Sequence, residues 1–200
     1  MYDTIKINII NKRGKKVRFL KELFEWIIVI AISAVLYFLI STYLLAPYNV
    51  KGHSMDYTFS DNDKVLINRV SKDFNRGDIV VFHANETDDY IKRIIGVPGD
   101  TIEMIDDVLY INGEKFNEPY LDKKKKELKK TDSNKNLTPD FNIEYLASTK
   151  SKKVPDNTYF VMGDNRPNST DSRIFGFVKK EKLVGKVMVR YYPFSNIKTF

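Results

Sequence analysis

The chain has 200 residues, 42% apolar and 30% charged, with 33 Lys and Arg against 26 Asp and Glu for a net charge of +7. That apolar share is too high for a disordered chain and fits one globular domain of about 150 residues plus an appendage. Cysteine is absent and the only histidines are His53 and His83. This excludes disulfides, thiol nucleophiles and iron–sulfur or zinc–thiolate centres, and leaves no multi-histidine metal site, so no cofactor is expected.

The first 25 residues form a basic tail, seven Lys and Arg against three Asp and Glu. Trp26 to Ala46 follows without a single charge. As a helix rising 1.5 Å per residue such a run spans about 30 Å, the thickness of a bilayer core. Trp26 at one end and Tyr43 and Tyr48 near the other suit the two interfaces. A buried core helix rarely runs so long without a polar face. A cleavable leader has a shorter apolar region and a small-x-small site after it, which is missing here. Residues 26–46 therefore read as an uncleaved transmembrane signal anchor. The basic residues before it predict a cytoplasmic N-terminus, with residues 47–200 on the extracytoplasmic face of the cell membrane.

From residue 47 the pattern becomes one of short strands. Lys64–Val70, Asp78–Ala84, Tyr90–Val97, Thr101–Ile105, Val108–Ile111, Thr158–Met162 and Val184–Tyr192 are rich in Val, Ile, Phe and Tyr. Turn sequences such as Arg76-Gly77-Asp78, Pro98-Gly99-Asp100 and Asn112-Gly113 bound them. No long amphipathic helix interrupts them, so the fold class is mainly β, a sandwich or partly open barrel, with one N-terminal transmembrane helix. Residues 117–157 are polar, lysine-rich and weakly patterned, and read as an insertion between strands. Residues 122–135 carry seven lysines against three acids. A solvated, mobile segment explains that cluster more simply than contact with anionic lipid headgroups does. The rest of the chain is nearly neutral, so the basic balance does not describe a nucleic-acid-binding face.

Three polar clusters could carry chemistry: Gly52-His53-Ser54-Met55, Tyr90-Ile91-Lys92-Arg93-Ile94-Ile95, and Gly163-Asp164-Asn165-Arg166 through Ser172-Arg173. On an extended strand Lys92 shares a face with Tyr90 and Ile94, and Arg93 takes the other face with Ile91 and Ile95. One of two adjacent cations is thereby forced among apolar neighbours. Burial would lower a lysine pKa and leave a neutral amine able to accept a proton. Composition alone favours a surface or salt-bridged pair of cations instead. Ser54 needs a base to act as a nucleophile. His53 is next to it in sequence and would point the opposite way. His83 could reach it only through the fold, and a serine–lysine pair is a further possibility.

Taken together and in order, the clusters resemble bacterial type I signal peptidase in its short, single-anchor Gram-positive form, over nearly the whole chain. Ser54-Met55, Asp63-Lys64-Val65-Leu66, Arg76-Gly77-Asp78 through Phe82, Tyr90 through Asp100, and Gly163-Asp164-Asn165-Arg166 through Ser169-x-Asp171-Ser172-Arg173 look like that family's successive boxes. The departure is Ser54-Met55-Asp56-Tyr57-Thr58, where the family has proline before the threonine. Proline fixes φ, and Tyr57 does not.

The resemblance implies a membrane serine endopeptidase that removes signal peptides from exported preproteins after small-x-small sites. Ser54 would be its nucleophile and Lys92 its general base. The Ser54 N–H would face the oxyanion. Gly52 stands where some relatives have a serine that supplies a second donor, and can offer no hydroxyl. Ser169 would orient Lys92, Asp171 and Arg173 would form a structural ion pair, and Asp164 would pair with Arg93. Val50, Met55, Tyr90 and Ile91 would wall the small-residue pockets. Partners would be preproteins bearing signal peptides, membrane lipid and the secretion translocon, with no nucleic acid. Two other readings stay open from the sequence: a self-cleaving repressor of related fold, opposed by the anchor, and a silent membrane-anchored regulatory module, for which Tyr57 alone speaks.

Overall fold

A computed structural model describes residues 2–40 and 44–200, with side chains from residue 18 onward. It divides into two compact units, the chain through Leu44 and Leu45–Phe200. Among its described residues the first holds one long helix, α1 (Tyr2–Leu39). Its segment Arg18–Leu39, 22 residues of mean hydropathy 2.1, is long and apolar enough to cross a membrane.

The second unit is built from antiparallel sheets and is mainly β. Its strands are β1 (Leu45–Asn49), β2 (Lys64–Asn68), β3 (Ile79–His83), β4 (Asp89–Gly96), β5 (Ile102–Ile105), β6 (Val108–Ile111), β7 (Glu114–Phe116), β8 (Phe141–Asn142), β9 (Thr158–Met162), β10 (Val178–Lys179), β11 (Leu183–Tyr192) and β12 (Lys198–Thr199). Two short helices, α2 (Asp122–Thr131) and α3 (Ser172–Phe175), lie between strands. The main sheet runs β1-β2-β11-β3-β4-β9-β10, with β12 added to β11, and a smaller sheet runs β7-β6-β5-β8. All seven strands read from the sequence are present, with ends moved by no more than two residues.

Local chemistry explains the turns. Asp106 and Asp107, then Asn112 and Gly113, all have φ between 50° and 80°, the left-handed pair that a two-residue hairpin of matching twist requires. Gly96 ends β4 where the register with β9 shifts, and a Cβ there would meet Ile102 Cδ1 at 2.3 Å. The absent side chain lets the smaller sheet fold back onto the main one.

Two expectations change. The expected anchor, 26–46, ends inside a strand: α1 reaches Leu39, Ile40 and Leu44 are in π-helical turns, residues 41–43 (and Tyr43 with them) lie outside the described residues, and Leu45 and Ala46 already belong to β1. A short apolar run reads equally as helix or buried strand. Pro47 disfavours helical backbone at Ala46 and is tolerated because β1 is an edge strand. The stretch 117–157 is also more than a solvated insertion. It supplies α2 and β8 and buries Leu121, Leu137, Ile143 and Val154.

Three apolar clusters fill the unit. Val50, Met55, Phe59, Val65, Ile67, Ile79, Val81, Ile91 and Val187 pack on one face of the main sheet. Val80, Phe82, Ile94, Tyr159 and Val161 pack on the other. Ile95, Ile102, Met104, Leu109, Phe160 and Met162 join the two sheets.

Candidate active site

β4 is an interior strand. Lys92 lies opposite Val80 of β3, and Arg93 lies opposite Met162 of β9. Ile91 through Gly96 are all buried. The forced burial of a cation is therefore real: Lys92 is 3% exposed. Its Nζ lies 2.6 Å from Ser54 Oγ and 5.2 Å from the centre of the Tyr90 ring. Burial pulls its pKa from 10.5 down to about 8, against the opposing pull of Asp171 and Asp164. Two carboxylates in the neighbourhood do not restore the ammonium because each is already committed to an arginine.

Those arginine pairs are explicit. Arg93 donates from Nε and Nη2 to the two oxygens of Asp164 at 2.9 and 2.6 Å. Burial opposes the Arg93 charge, but Asp164 outweighs it and raises the guanidinium pKa. Arg173 donates to both oxygens of Asp171 at 2.8 Å. Burial would raise the Asp171 carboxyl, and Arg173 holds it below the ordinary range instead. Asp171 also caps α3 and accepts the Gly163 N–H at 3.0 Å.

The segment carrying Ser54 is a tight loop between β1 and β2. Val50 N–H donates to Asp63 O and Asn62 N–H to Val50 O, closing its neck. Gly52, at φ +79°, turns the chain and donates its N–H to Asp61 Oδ1. A one-turn bend follows, with Phe59 N–H donating to Met55 O, and the Met55 and Phe59 side chains sink into the core. Tyr57 does not leave φ free. It takes φ +88°, which a proline ring, locked near −65°, cannot reach. Its hydroxyl donates to Asn165 Oδ1.

The 163–173 segment packs directly on this loop. Asn165 N–H donates to Ser54 O at 3.0 Å, and Asn165 Nδ2 donates to His53 O at 2.8 Å. Thr58 Oγ1 donates to Asp164 Oδ2. A Cβ on Gly163 would collide with Ser54 O and Ser169 Oγ, so only glycine allows the two segments to meet. Ser169 lies near enough to Asp171 to help hold its carboxyl low. Its Oγ is buried with no hydrogen bond of ordinary geometry, and none to Lys92, among the described residues.

A cavity of about 550 Å³ opens over the Ser54–Lys92 contact, and Gly52, Tyr90, Ile91, Asn168, Ser169 and Ile174 are among the residues lining it. Tyr90 and Ile91 stand in the wall of this cavity. Val50 and Met55, expected as walls, are 1% exposed and pack in the core behind the loop, since inward-facing apolar side chains there are what fasten it. Neither histidine is a partner of Ser54. His53 Nδ1 faces Asp56 at the surface, and His83 Nδ1 meets Asp89. Among the described residues no group of three or more His, Asp or Glu side chains could hold a metal ion.

Glu118 and Tyr120 carry no signal in the sequence alone, and Arg166 stands there in the third cluster without a role. Fully buried Arg166 donates to Glu118 Oε1 and to Gly163 O. Glu118 also faces Lys125 of α2. Tyr120 lies over the Arg93 guanidinium at 3.8 Å and donates its hydroxyl to Glu118. The lysine-rich stretch thus contributes one carboxylate and one ring to the support of the site, which spacing along the chain does not reveal.

Residues 23–192 match the family model described as signal peptidase, peptidase S26. The chain is 45% identical over 183 residues to signal peptidase IB of Staphylococcus aureus, covering 89% of this chain and 94% of that one. It is 45% identical over 182 residues to signal peptidase I S of Bacillus subtilis, with the same coverage. A crystal structure of a signal peptidase I from Enterococcus faecalis V583 superposes with a TM-score of 0.54 at 45% identity, covering 57% of this chain and 96% of that one.

Proposed function

The chain belongs to the signal peptidase family, peptidase S26, whose members are serine endopeptidases, and from that premise we propose that it removes signal peptides from exported preproteins by a Ser54–Lys92 mechanism. The observation that carries the reading is the 2.6 Å contact between the Ser54 hydroxyl and a buried lysine, its pKa drawn down to about 8, at the floor of a cavity.

Neutral Lys92 accepts the Ser54 Oγ proton as Oγ bonds to the scissile carbonyl carbon. The carbonyl electron pair moves onto oxygen, and the Ser54 N–H donates to it. Collapse breaks the C–N bond, and the Lys92 ammonium returns the proton to the departing amine. The resulting ester is opened by water, whose proton passes to Lys92 and then back to Ser54 Oγ. The residue before the cut sits against Tyr90 and Ile91, close to the nucleophile, which favours small side chains. Ser169 and Lys92 line the same cavity, and in this reading Ser169 helps to orient the amine. Arg93–Asp164 and Arg173–Asp171 hold the two segments that meet at Ser54. Gly52 gives the loop its turn and no second hydroxyl donor.

The apolar helix segment supports a membrane anchor within residues 26–46, after the basic tail 1–25 and before an extracytoplasmic catalytic unit from residue 47 onward. The excess of Lys and Arg before it supports a cytoplasmic N-terminus. Membrane lipid is then a constant partner, and preproteins emerging from the secretion translocon are the substrates.

The test is cleavage of a preprotein by the detergent-solubilised full chain beside Ser54→Ala and Lys92→Ala. Cutting after a small-x-small site by wild type, and by neither variant, is expected. Retained cleavage in Ser54→Ala overturns the reading.

A further inference from the structure

The Ser54 N–H is the donor that the proposed reaction asks to meet the oxyanion, and it has no hydrogen-bond partner among the described residues. Something must aim it. A trans peptide holds its C=O and N–H in one plane, pointing in opposite directions. The His53–Ser54 peptide is trans, so whatever grips the His53 oxygen fixes the direction of the Ser54 N–H.

Asn165 does this from a different segment. Its Nδ2 donates to His53 O at 2.8 Å, and its backbone N–H donates to Ser54 O at 3.0 Å. Asn165 thereby holds the carbonyls on both sides of the nucleophile, adding to the Asp56 N–H that donates to His53 O at 3.2 Å within the loop, while the Ser54 N–H keeps no partner among the described residues. Tyr57 completes the arrangement: its hydroxyl donates to Asn165 Oδ1 at 3.3 Å. An amide that accepts on oxygen must present nitrogen to His53 O, so this bond selects the correct orientation of the amide. Tyr57 reaches Asn165 from the strained φ of +88°, a conformation that needs a compensating contact to persist.

We infer that Asn165 is a positioning residue that aims the Ser54 N–H at the oxyanion, and that Tyr57, through its hydroxyl, orients Asn165 for this task. The inference rests on Ser54 being the nucleophile. In this chain a side-chain bridge across two segments stiffens the loop at a backbone angle that a proline at 57 could not adopt.

Loss of a complete oxyanion donor lowers kcat by about 100- to 1,000-fold, and loss of its aim should forfeit part of that. The experiment uses the full chain in detergent and compares wild type, Ser54→Ala, Asn165→Ala, Asn165→Asp and Tyr57→Phe. It measures kcat and KM on a small-x-small peptide. It also measures inhibition by a peptide aldehyde, whose adduct with Ser54 carries an oxyanion, and by the matching peptide alcohol, which forms no adduct. In both Asn165 variants kcat should fall about 10- to 100-fold with KM within twofold. Aldehyde affinity should weaken by the same factor, while alcohol affinity and the pH midpoint of the rate stay unchanged. Tyr57→Phe removes one oxygen from an exposed ring and should act in the same direction by about two- to fivefold. It keeps the test open if an Asn165 variant does not fold. Parallel weakening of aldehyde and alcohol, or wild-type kcat and aldehyde affinity in the folded variants, overturns the inference. Full activity in Ser54→Ala instead overturns the nucleophile assignment beneath it.

Discussion

The burial of Lys92 makes one prediction that two independent measurements must share. A lysine at its ordinary pKa of 10.5 is neutral in about one molecule in 3,000 at pH 7, whereas one at about 8 is neutral in about one in ten. If the neutral amine is the base, kcat/KM should climb about tenfold per pH unit below 8 and level off above it. The same difference is a stability term. The folded chain holds this proton less tightly than the unfolded chain, so folding is penalised by about 3 kcal/mol at all pH values below 8. Stability then recovers as pH rises from about 8 to 10.5, where only the unfolded chain still carries the proton. Lys92→Met removes the charge and keeps most of the volume. It should abolish cleavage and stabilise the protein by as much as about 3 kcal/mol at pH 7, the gain fading towards zero by pH 10.5. Initial rates on a peptide from pH 6 to 10.5, and urea denaturation of both proteins followed by circular dichroism at pH 7 and 10.5, supply the two data sets. A rate midpoint near 10.5 together with a Lys92→Met variant no more stable than wild type at pH 7 would refute the reasoning, because a solvated lysine gives both.

Glu118→Ala leaves the fully buried Arg166 guanidinium without its carboxylate and should destabilise the fold by about 3–5 kcal/mol, read as a lowered urea midpoint. Gly163→Ala places a methyl 2.4 Å from Ser54 O and should reduce kcat at least tenfold, the order of loss expected when a reacting group is displaced by about 1 Å; a single-turnover assay would detect it, and wild-type turnover would mean the two segments can separate without cost. His83→Ala should leave kcat within twofold of wild type, because His83 bonds to Asp89 and does not line the Ser54 cavity. A tenfold loss would return a histidine to the reaction.

Much of the strand layout could be read along the chain because its causes are local. Alternation in Tyr90–Ile95 and the left-handed pair at Asn112-Gly113 are set by neighbours one or two residues away. The start of β1 was not, since Leu44-Leu45-Ala46 is as apolar as the helix before it; Pro47 disfavours helix only at Ala46, and pairing with β2 sets where the strand begins. Val50 and Met55 show the same limit at the site. An apolar residue beside a nucleophile can wall a substrate pocket or fasten the loop to the core, and its position in sequence does not distinguish these.

The apolar helix segment, the run of short strands, and a serine and a lysine in motifs shared with signal peptidases are all legible along the chain. Each is written in residue types at fixed short spacing. The tertiary structure alone decided that Ser54 and Lys92, 38 positions apart, stand 2.6 Å from each other. It also decided that burial draws the lysine pKa down to about 8, and that Asn165 reaches across 112 positions to the carbonyl that precedes Ser54. Desolvation and hydrogen bonding fall off within a few ångströms, so they depend on which distant segments are brought into contact and not on how far apart those segments lie along the chain.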